Sequence, residues 1–319
     1  MSSGSNIWLH RFAVFLALCT LGLVFVGGLV TSTDSGLSVP DWPLSYGKVF
    51  PPMVGGILYE HSHRLYAASV GILTVILAAW LLKSEPRRWV KVLGGLALLT
   101  VILQGVLGGL TVIFLLPVAV SVSHAGTAQL FLCLIVTIAT VTSRGWQHEE
   151  PGIEESSSPS LRSLTLATTI LIYIQVLLGA LMRHTASGLA IPDFPLSFGG
   201  LVPDHFTRQI EVNFAHRIGA LVVTIFVLWT FARIFRVYRP NPGLFRAALV
   251  LLCALVLQVF LAAETVWSSR GTLPTTMHVA GGAFMLATSL YLTLRAHHSI
   301  RSRVTLPAWE TAAAGSSQR

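Results

Sequence analysis

The chain has 319 residues, of which 53% are hydrophobic and only 11% charged, and its mean hydropathy is +0.72. Soluble domains carry about 25% charged residues, so this composition excludes an ordinary water-soluble globule and favours a membrane protein. The net charge of +8 does not indicate nucleic acid, because the basic residues lie in short loops and not in a patch. No disulfide framework or thiolate metal site is predicted from Cys19, Cys133 and Cys253, which lie far apart.

Eight apolar stretches are long enough to cross the hydrocarbon core of a bilayer, which takes about 20 helical residues. The predicted spans are 10–31, 63–82, 90–113, 118–142, 163–183, 214–235, 245–267 and 275–295. Of the 21 Lys and Arg residues, 15 fall on one side of these spans. Because short cytoplasmic loops retain positive charge, both termini are predicted to be cytoplasmic. The apolar spans are predicted to be surrounded by membrane lipid.

The polar segment 143–162 is rich in Ser and Glu, has no apolar periodicity, and is predicted to be a cytoplasmic linker. It separates an N-terminal half, 1–142, from a C-terminal half, 163–303, each with four spans. The tail 304–319 is small and polar and is predicted to be disordered. The predicted fold is therefore an all-α membrane protein built from two four-helix bundles.

An internal repeat relates the two halves. Residues 27–47 read GGLVTSTDSGLSVPDWPLSYG, and residues 179–199 read GALMRHTASGLAIPDFPLSFG, an ungapped match at an offset of 152. The match continues at offsets of 153 and 154 with His63-Arg64 and His216-Arg217, Leu103-Gln104 and Leu257-Gln258, and His124 and His278. Because each half has an even number of spans, both copies share one orientation, which predicts a pseudo-two-fold axis along the membrane normal. The turn-rich outer loops 32–62 and 184–213 are predicted to form ordered lids.

Four histidines lie at the outer ends of the even-numbered spans, at similar predicted depth: His63, His124, His216 and His278. A lone histidine in a membrane helix is often a packing residue, but four in matched positions indicate a function. Two histidines from facing helices can ligate the iron of a haem. Zinc would need three or four converging ligands, and each half offers only two histidines, so haem is favoured over zinc.

Three charged residues accompany these histidines. Arg64 and Arg217 each follow the first histidine of a pair, on another helix face, and are candidate partners of haem propionates. The alternative is that their side chains simply reach the polar interface. Glu60 lies one helical turn before the first histidine, whereas the matching residue in the second half is Asn213. A carboxylate there can accept protons during an oxidation, although the helix dipole also favours a glutamate at a helix start. The next residue, His61, is predicted to lie in the loop.

Taken together, these motifs resemble the haem A synthase family over residues 10–296. They are GLSVPDWPLSYG, Glu-x-x-His-Arg at 60–64, LQGVLGGLTV at 103–112 and the histidines of both halves. The resemblance implies an oxidoreductase that acts on a CH group, converting the C8 methyl of haem O to the formyl of haem A through a hydroxymethyl intermediate. It implies that His63 and His124 hold the substrate haem O, that Glu60 is catalytic, and that His216 and His278 ligate a cofactor haem b.

The resemblance also implies a role in the assembly of terminal cytochrome oxidases. Candidate partners are a haem O synthase, other oxidase assembly factors and a second copy of the chain. With no long transit-like extension before the first span, a bacterial cytoplasmic membrane is the expected location. Several bacterial members carry two cysteines in the first outer loop, where this chain has Ser38, Val39 and Ser45, so a disulfide cannot form there.

Two other functions remain open from the sequence. One is a membrane cytochrome that only transfers electrons through two bis-histidine haems, and the other is a transporter built from parallel repeats. All four histidines lie on one side, which suits an electron path across the membrane poorly. No matched pair of broken spans supports the transporter.

Overall fold

The computed structural model describes residues 6–147, 153–155 and 158–302. The helices are α1 Ile7–Ser32, α2 Gly56–Ser84, α3 Arg88–Ile113, α4 Val118–Val141, α5 Arg144–Gln147, α6 Leu161–His184, α7 Arg208–Val237, α8 Pro242–Trp267 and α9 Thr272–Ser299. Two short strands, β1 Ile153–Glu155 and β2 Ile300–Ser302, pair in parallel. Every helix except α5 is long and apolar enough to cross a membrane, which confirms the eight predicted spans. The predicted disordered tail lies outside the described residues.

Short polar side chains mark where several helices begin. The side-chain oxygen of Asn6 accepts the N–H groups of the first turn of α1, and Asn241 does the same for α8. The helices α2 and α7 begin at Gly56 and Arg208, well before the apolar stretches predicted from 63 and 214. These early starts make Glu60 helical, and they make the prediction of His61 as a loop residue wrong.

Each half closes into a four-helix bundle. In the first half α1 and α3 each pack against α2 and α4, and in the second half α6 and α8 each pack against α7 and α9. The halves meet where α1 contacts α9, α4 contacts α6, and α4 contacts α9. Exchanging α1–α4 for α6–α9 leaves this set of contacts unchanged, as a parallel repeat requires.

Large apolar side chains face outward as well as inward. Leu18, Ile72 and Leu99, on three different helices, are each 63% exposed, whereas Leu16 and Leu77 are fully buried inside the first bundle. Apolar patches of this extent are unfavourable in water, because soluble proteins rarely expose more than a few hundred Å² of contiguous apolar surface. Hydrocarbon is the solvent that matches this surface.

The two bundle cores differ in chemistry on the side remote from the histidines. In the second half, the hydroxyl of Thr168 lies 2.9 Å from that of Thr230, and the hydroxyl of Thr169 lies 2.8 Å from those of Ser289 and Thr293. The matched residues of the first half are all apolar: Leu16, Ala17, Leu77, Ile135 and Ala139. At these positions, therefore, side-chain hydroxyls are hydrogen-bonded between the helices of the second half, where the first half has apolar side chains.

The connection between the halves is attached to the second bundle. The Glu155 carboxylate in β1 accepts the Tyr238 hydroxyl at 2.7 Å and the N–H of Leu161 at 2.8 Å. Burial, together with this carboxylate, raises the pKa of Tyr238. These contacts hold the start of α6 against the end of α7.

Candidate haem site

The chain between α1 and α2, residues 33–55, forms the first lid, and the chain between α6 and α7, residues 185–207, forms the second lid. In each lid an aspartate, Asp41 or Asp193, accepts two backbone N–H groups. The donors are Tyr46 and Gly47 at 2.6 and 2.8 Å, and Phe198 and Gly199 at 2.9 and 2.8 Å. Both glycines have positive φ, 69° and 80°, which glycine adopts without steric cost. The glycine N–H, followed by that of the aromatic residue, holds the pKa of each aspartate below its usual range.

Arg64 and Arg217 fasten the lids to the helices below them. Each guanidinium donates to three lid carbonyls at matched positions, which are Val39, Asp41 and Leu44 in the first lid and Ile191, Asp193 and Leu196 in the second. The distances lie between 2.7 and 3.1 Å. The two side chains therefore point toward the lids, and a contact with a haem propionate stays a prediction.

Glu60 lies buried between the first lid and α2, with an exposed fraction of 4%. Its Oε2 accepts the N–H of Val39 at 2.8 Å, and its Oε1 accepts the Arg64 guanidinium at 2.5 Å. At the matching place Asn213 donates its amide to the carbonyl of Ser187 at 2.8 Å. Since each carboxylate oxygen has two lone pairs, Glu60 can still accept a further hydrogen bond or a proton.

His63 on α2 and His124 on α4 are the candidate pair of the first half. Glycines on the adjacent helices face both rings. A Cβ atom at Gly27 would lie 3.2 Å from Nε2 of His63, and one at Gly108 would lie 3.2 Å from Cε1 of His124. Glycine thus leaves space around each imidazole that a larger residue would fill.

His216 on α7 and His278 on α9 form the equivalent pair in the second half. Their ring centres are 6.5 Å apart and their planes are inclined by 73°. Bonds from a metal ion to imidazole nitrogens are about 2 Å long, so this separation of the ring centres is compatible with two imidazoles that ligate one ion. The Nδ1 atoms of His124 and His278 are buried without a hydrogen-bond partner among the described residues. A buried nitrogen without a partner raises the free energy of the folded protein unless a ligand binds it or the ring turns. The residues therefore fit haem ligation.

Comparison with known proteins gives consistent matches over most of the chain. A family model described as cytochrome oxidase assembly protein matches residues 10–56 and 53–290. The haem A synthase of Halalkalibacterium halodurans is 32% identical over 234 residues, covering 70% of this chain and 77% of the relative. The chain belongs to the haem A synthase family. Haem A synthases of Symbiobacterium thermophilum and Geobacillus kaustophilus are 32% and 27% identical over 70% and 91% of this chain, and 76% and 93% of their own.

In this family member, two glutamines support the second histidine of each pair. The side-chain amide of Gln104 donates to the carbonyl of His124 at 3.0 Å, and that of Gln258 donates to the carbonyl of His278 at 2.9 Å. These contacts tie α3 to α4 and α8 to α9 beside the imidazoles. The repeated Leu-Gln pair in the sequence pointed to these two glutamines, but it did not indicate that they contact the histidine carbonyls.

The described residues do not assemble the ligand set of a zinc centre. Among residues 6–147, 153–155 and 158–302, no three His, Cys, Asp or Glu side chains come close enough to hold a metal ion. A protein zinc site needs three or four such ligands. A pair of imidazoles suffices for a haem, because the macrocycle supplies the other iron ligands.

Proposed function

We propose that this chain is the oxidoreductase that converts haem O to haem A by oxidising the C8 methyl group to a formyl group. The methyl carbon would be hydroxylated twice, with loss of water after the second step. The observation that carries the proposal, beyond family membership, is the buried Glu60 carboxylate in the first half, where the second half has Asn213. An electron-transfer haem needs no such group, whereas oxidation of a C–H bond releases protons that a carboxylate can accept.

The two halves would hold different haems. His63 and His124 would bind the substrate haem O, and a carboxylate oxygen of Glu60 would take up a proton there. Val39 and Arg64 support this role because their hydrogen bonds keep the carboxylate in one place. A cofactor haem b, held by the His216 and His278 imidazoles, would supply electron transfer when bound.

The arginines would add contacts at the rim of each site. Arg64 donates to three lid carbonyls and to Glu60, and Arg217 donates to three lid carbonyls and to Asn213. The remaining N–H donor of each guanidinium would donate one charge-assisted hydrogen bond to a haem propionate. Each arginine would then connect its lid to the ligand.

The proposed location is a bacterial cytoplasmic membrane with both termini in the cytoplasm. The distribution of Lys and Arg supports this orientation, since 15 of 21 lie on the side of the termini. The lids and all four histidines would then face the outer side. Partners consistent with this location are a haem O synthase and other oxidase assembly factors.

Mass analysis of extracted haems tests the reaction. Membranes that contain this protein and haem O should yield haem A or its hydroxymethyl precursor, and Glu60→Gln should lower product by about 100-fold or more, the scale of general acid–base catalysis. The haem b spectrum should persist in that variant. Glu211→Gln, which removes an exposed carboxylate from α7, is the control and should leave product unchanged.

Two outcomes would contradict this proposal in different ways. Loss of haem b in Glu60→Gln would remove the assignment of catalysis to the first half. Haem b with unaltered haem O as the only haems, in a host that supplies an electron acceptor, would instead favour a bis-histidine cytochrome carrying two haems.

Replacement of the second histidine pair tests the resident haem. His216→Ala or His278→Ala should deplete haem b in the purified protein, because one axial ligand is lost. His205→Ala, in the exposed second lid, should leave the haem b absorbance unchanged. An unaltered haem b spectrum in either ligand variant would mean that the two halves have the opposite roles.

A further inference from the structure

A buried hydrogen bond joins the first lid to α2 and has no equivalent in the second half. The Oγ atom of Ser45 lies 2.8 Å from Nδ1 of His61, and the two residues are only 1% and 5% exposed. The matched residues are Ser197, which is also buried, and Phe214. Phenylalanine cannot hydrogen bond through its side chain, and Phe214 packs against another lid residue, Phe206, with ring centres 6.0 Å apart.

This bond belongs to a set of contacts that fixes the lid around Glu60. Glu60, His61 and Arg64 project from neighbouring positions on α2, and each contacts the first lid. Val39, near one end of the set, donates the N–H that holds Oε2 of Glu60. Ser45, near the other end, makes its side-chain hydrogen bond to α2 and two backbone hydrogen bonds to Lys48.

We propose that His61, acting through Ser45, is a positioning residue for the oxidation. It sets the first lid so that Val39 and Arg64 hold the Glu60 carboxylate in its working position. This inference rests on the proposed function, in which the first half admits and releases a haem in every turnover and the second half keeps one. A lid that opens repeatedly must return to the same position on α2. A directional hydrogen bond specifies that position better than an apolar ring does. Misplacement of a reacting group by about 1 Å can lower a rate by about 100-fold.

The second ring nitrogen of His61 offers a competing role. Its Nε2 is buried and has no hydrogen-bond partner among the described residues. If that atom contacted the substrate, His61 would act directly and the bond to Ser45 would be secondary. The two roles use different nitrogens, so substitutions that mimic one nitrogen at a time separate them.

The first experiment installs the residue of the second half. His61→Phe should lower kcat for haem O oxidation by about 10-fold, the effect of losing a buried hydrogen bond, with KM and haem b content unchanged. Ser45→Ala should have a similar effect, and the double variant should be no slower than either single variant. Ser197→Ala is the matched control and should keep the activity of the unmodified protein. Additive losses would overturn the proposal.

The second experiment uses amides. His61→Asn places a polar atom near the position of Nδ1 and should restore most of kcat, whereas His61→Gln places its amide near Nε2 and should not. Rescue by glutamine alone would overturn the positioning role in favour of ligand contact. Hydrogen exchange of the lid amides at 39–47 should be faster in His61→Phe than in the unmodified protein, and unchanged exchange would also overturn the proposal.

The unmodified protein separates this inference from the proposed function. If it makes no haem A from haem O, the proposed function and the positioning role both fail. If it makes haem A and His61→Phe makes it at the same rate, only the positioning role fails.

Discussion

The indole ring of Trp42 lies directly against the backbone of α3. A Cβ atom at Gly109 would lie only 2.7 Å from that ring, closer than side-chain atoms pack. The matched residues of the second half are Phe194 and Ala263. The larger lid ring is thus paired with glycine and the smaller ring with alanine, so the two positions accommodate each other.

Gly109→Ala should lower the free energy of unfolding by about 1–3 kcal/mol, because the added methyl overlaps the Trp42 ring. Gly105→Ala on the same helix is the control, since no described atom beyond the neighbouring turns of α3 lies within 4 Å of its added Cβ. In that variant the free energy of unfolding should rise by up to about 1 kcal/mol, because alanine has a higher helix propensity than glycine. Thermal unfolding in lipid nanodiscs measures the stability of both variants. Equal changes in their unfolding temperatures would show that the Trp42 ring moves aside for the methyl group without a loss of stability.

Candidate site residues could be named from the sequence, whereas their contacts could not. The repeat with its mismatch at Asn213 singled out Glu60, but nothing local indicated its partner Val39, which lies 21 residues upstream in a loop. His61 was mispredicted because the apolar stretch begins only at residue 63, whereas α2 already begins at Gly56. Hydropathy reports the part of a helix in lipid and not its full length.

The lids are elements without regular secondary structure, and their order depends on the aspartate turns. The low pKa of Asp41 means that the lid binds the ionised form more strongly than an unfolded chain does. A lowered pKa contributes stability above the ordinary aspartate value of 3.8, and that contribution is lost as the pH falls through the lowered value. The Arg64 charge acts in the same direction.

Cleavage by pepsin measures this dependence. At pH 4 the first lid should resist cleavage in the unmodified protein, and resistance should disappear at lower pH as Asp41 is protonated. Asp41→Asn should be cut already at pH 4, because an amide cannot accept both N–H groups. Asp204→Asn, in the exposed part of the second lid, should behave like the unmodified protein. Equal sensitivity of both variants would contradict the role of the turn.

The long helices could be predicted because about 20 consecutive apolar residues leave a strong local signal. The strands β1 and β2 left none, because each has only three residues and pairs with a distant part of the chain. The lids were predicted from their turn residues, yet their attachment through two arginines required the folded structure.

The two bundles are joined by polar contacts as well as by packing. Thr276 on α9 is fully buried, and its hydroxyl oxygen lies 3.0 Å from that of Ser32 on α1. Gly28 on α1 lets the two helices approach here, since a Cβ atom would lie 3.3 Å from Cγ2 of Thr276. The repeat predicted a pseudo-two-fold axis between the halves, but not which helices or side chains would meet across it.

Thr276→Val should lower the free energy of unfolding by about 1 kcal/mol, because Ser32 loses its partner in a buried place. The adjacent Thr275→Val is the control, since the Thr275 hydroxyl is buried without a hydrogen-bond partner among the described residues. That variant should be neutral or more stable. Chemical unfolding of both in matched detergent would contradict this account if Thr275→Val were the less stable of the two.

The hydroxyl pairs in the second bundle bear on how a duplicated membrane protein keeps its halves distinct. The hydroxyl of Thr168 pairs with that of Thr230, and the hydroxyl of Thr169 pairs with that of Ser289. Each pair therefore has its two hydroxyls on different helices. A recombination event that copied α1 into the place of α6 would bring Leu16 and Ala17 and leave hydroxyls on two other helices unpaired. Each buried loss costs about 1–3 kcal/mol. The two copies can therefore no longer exchange helices freely, and each can diverge independently of the other.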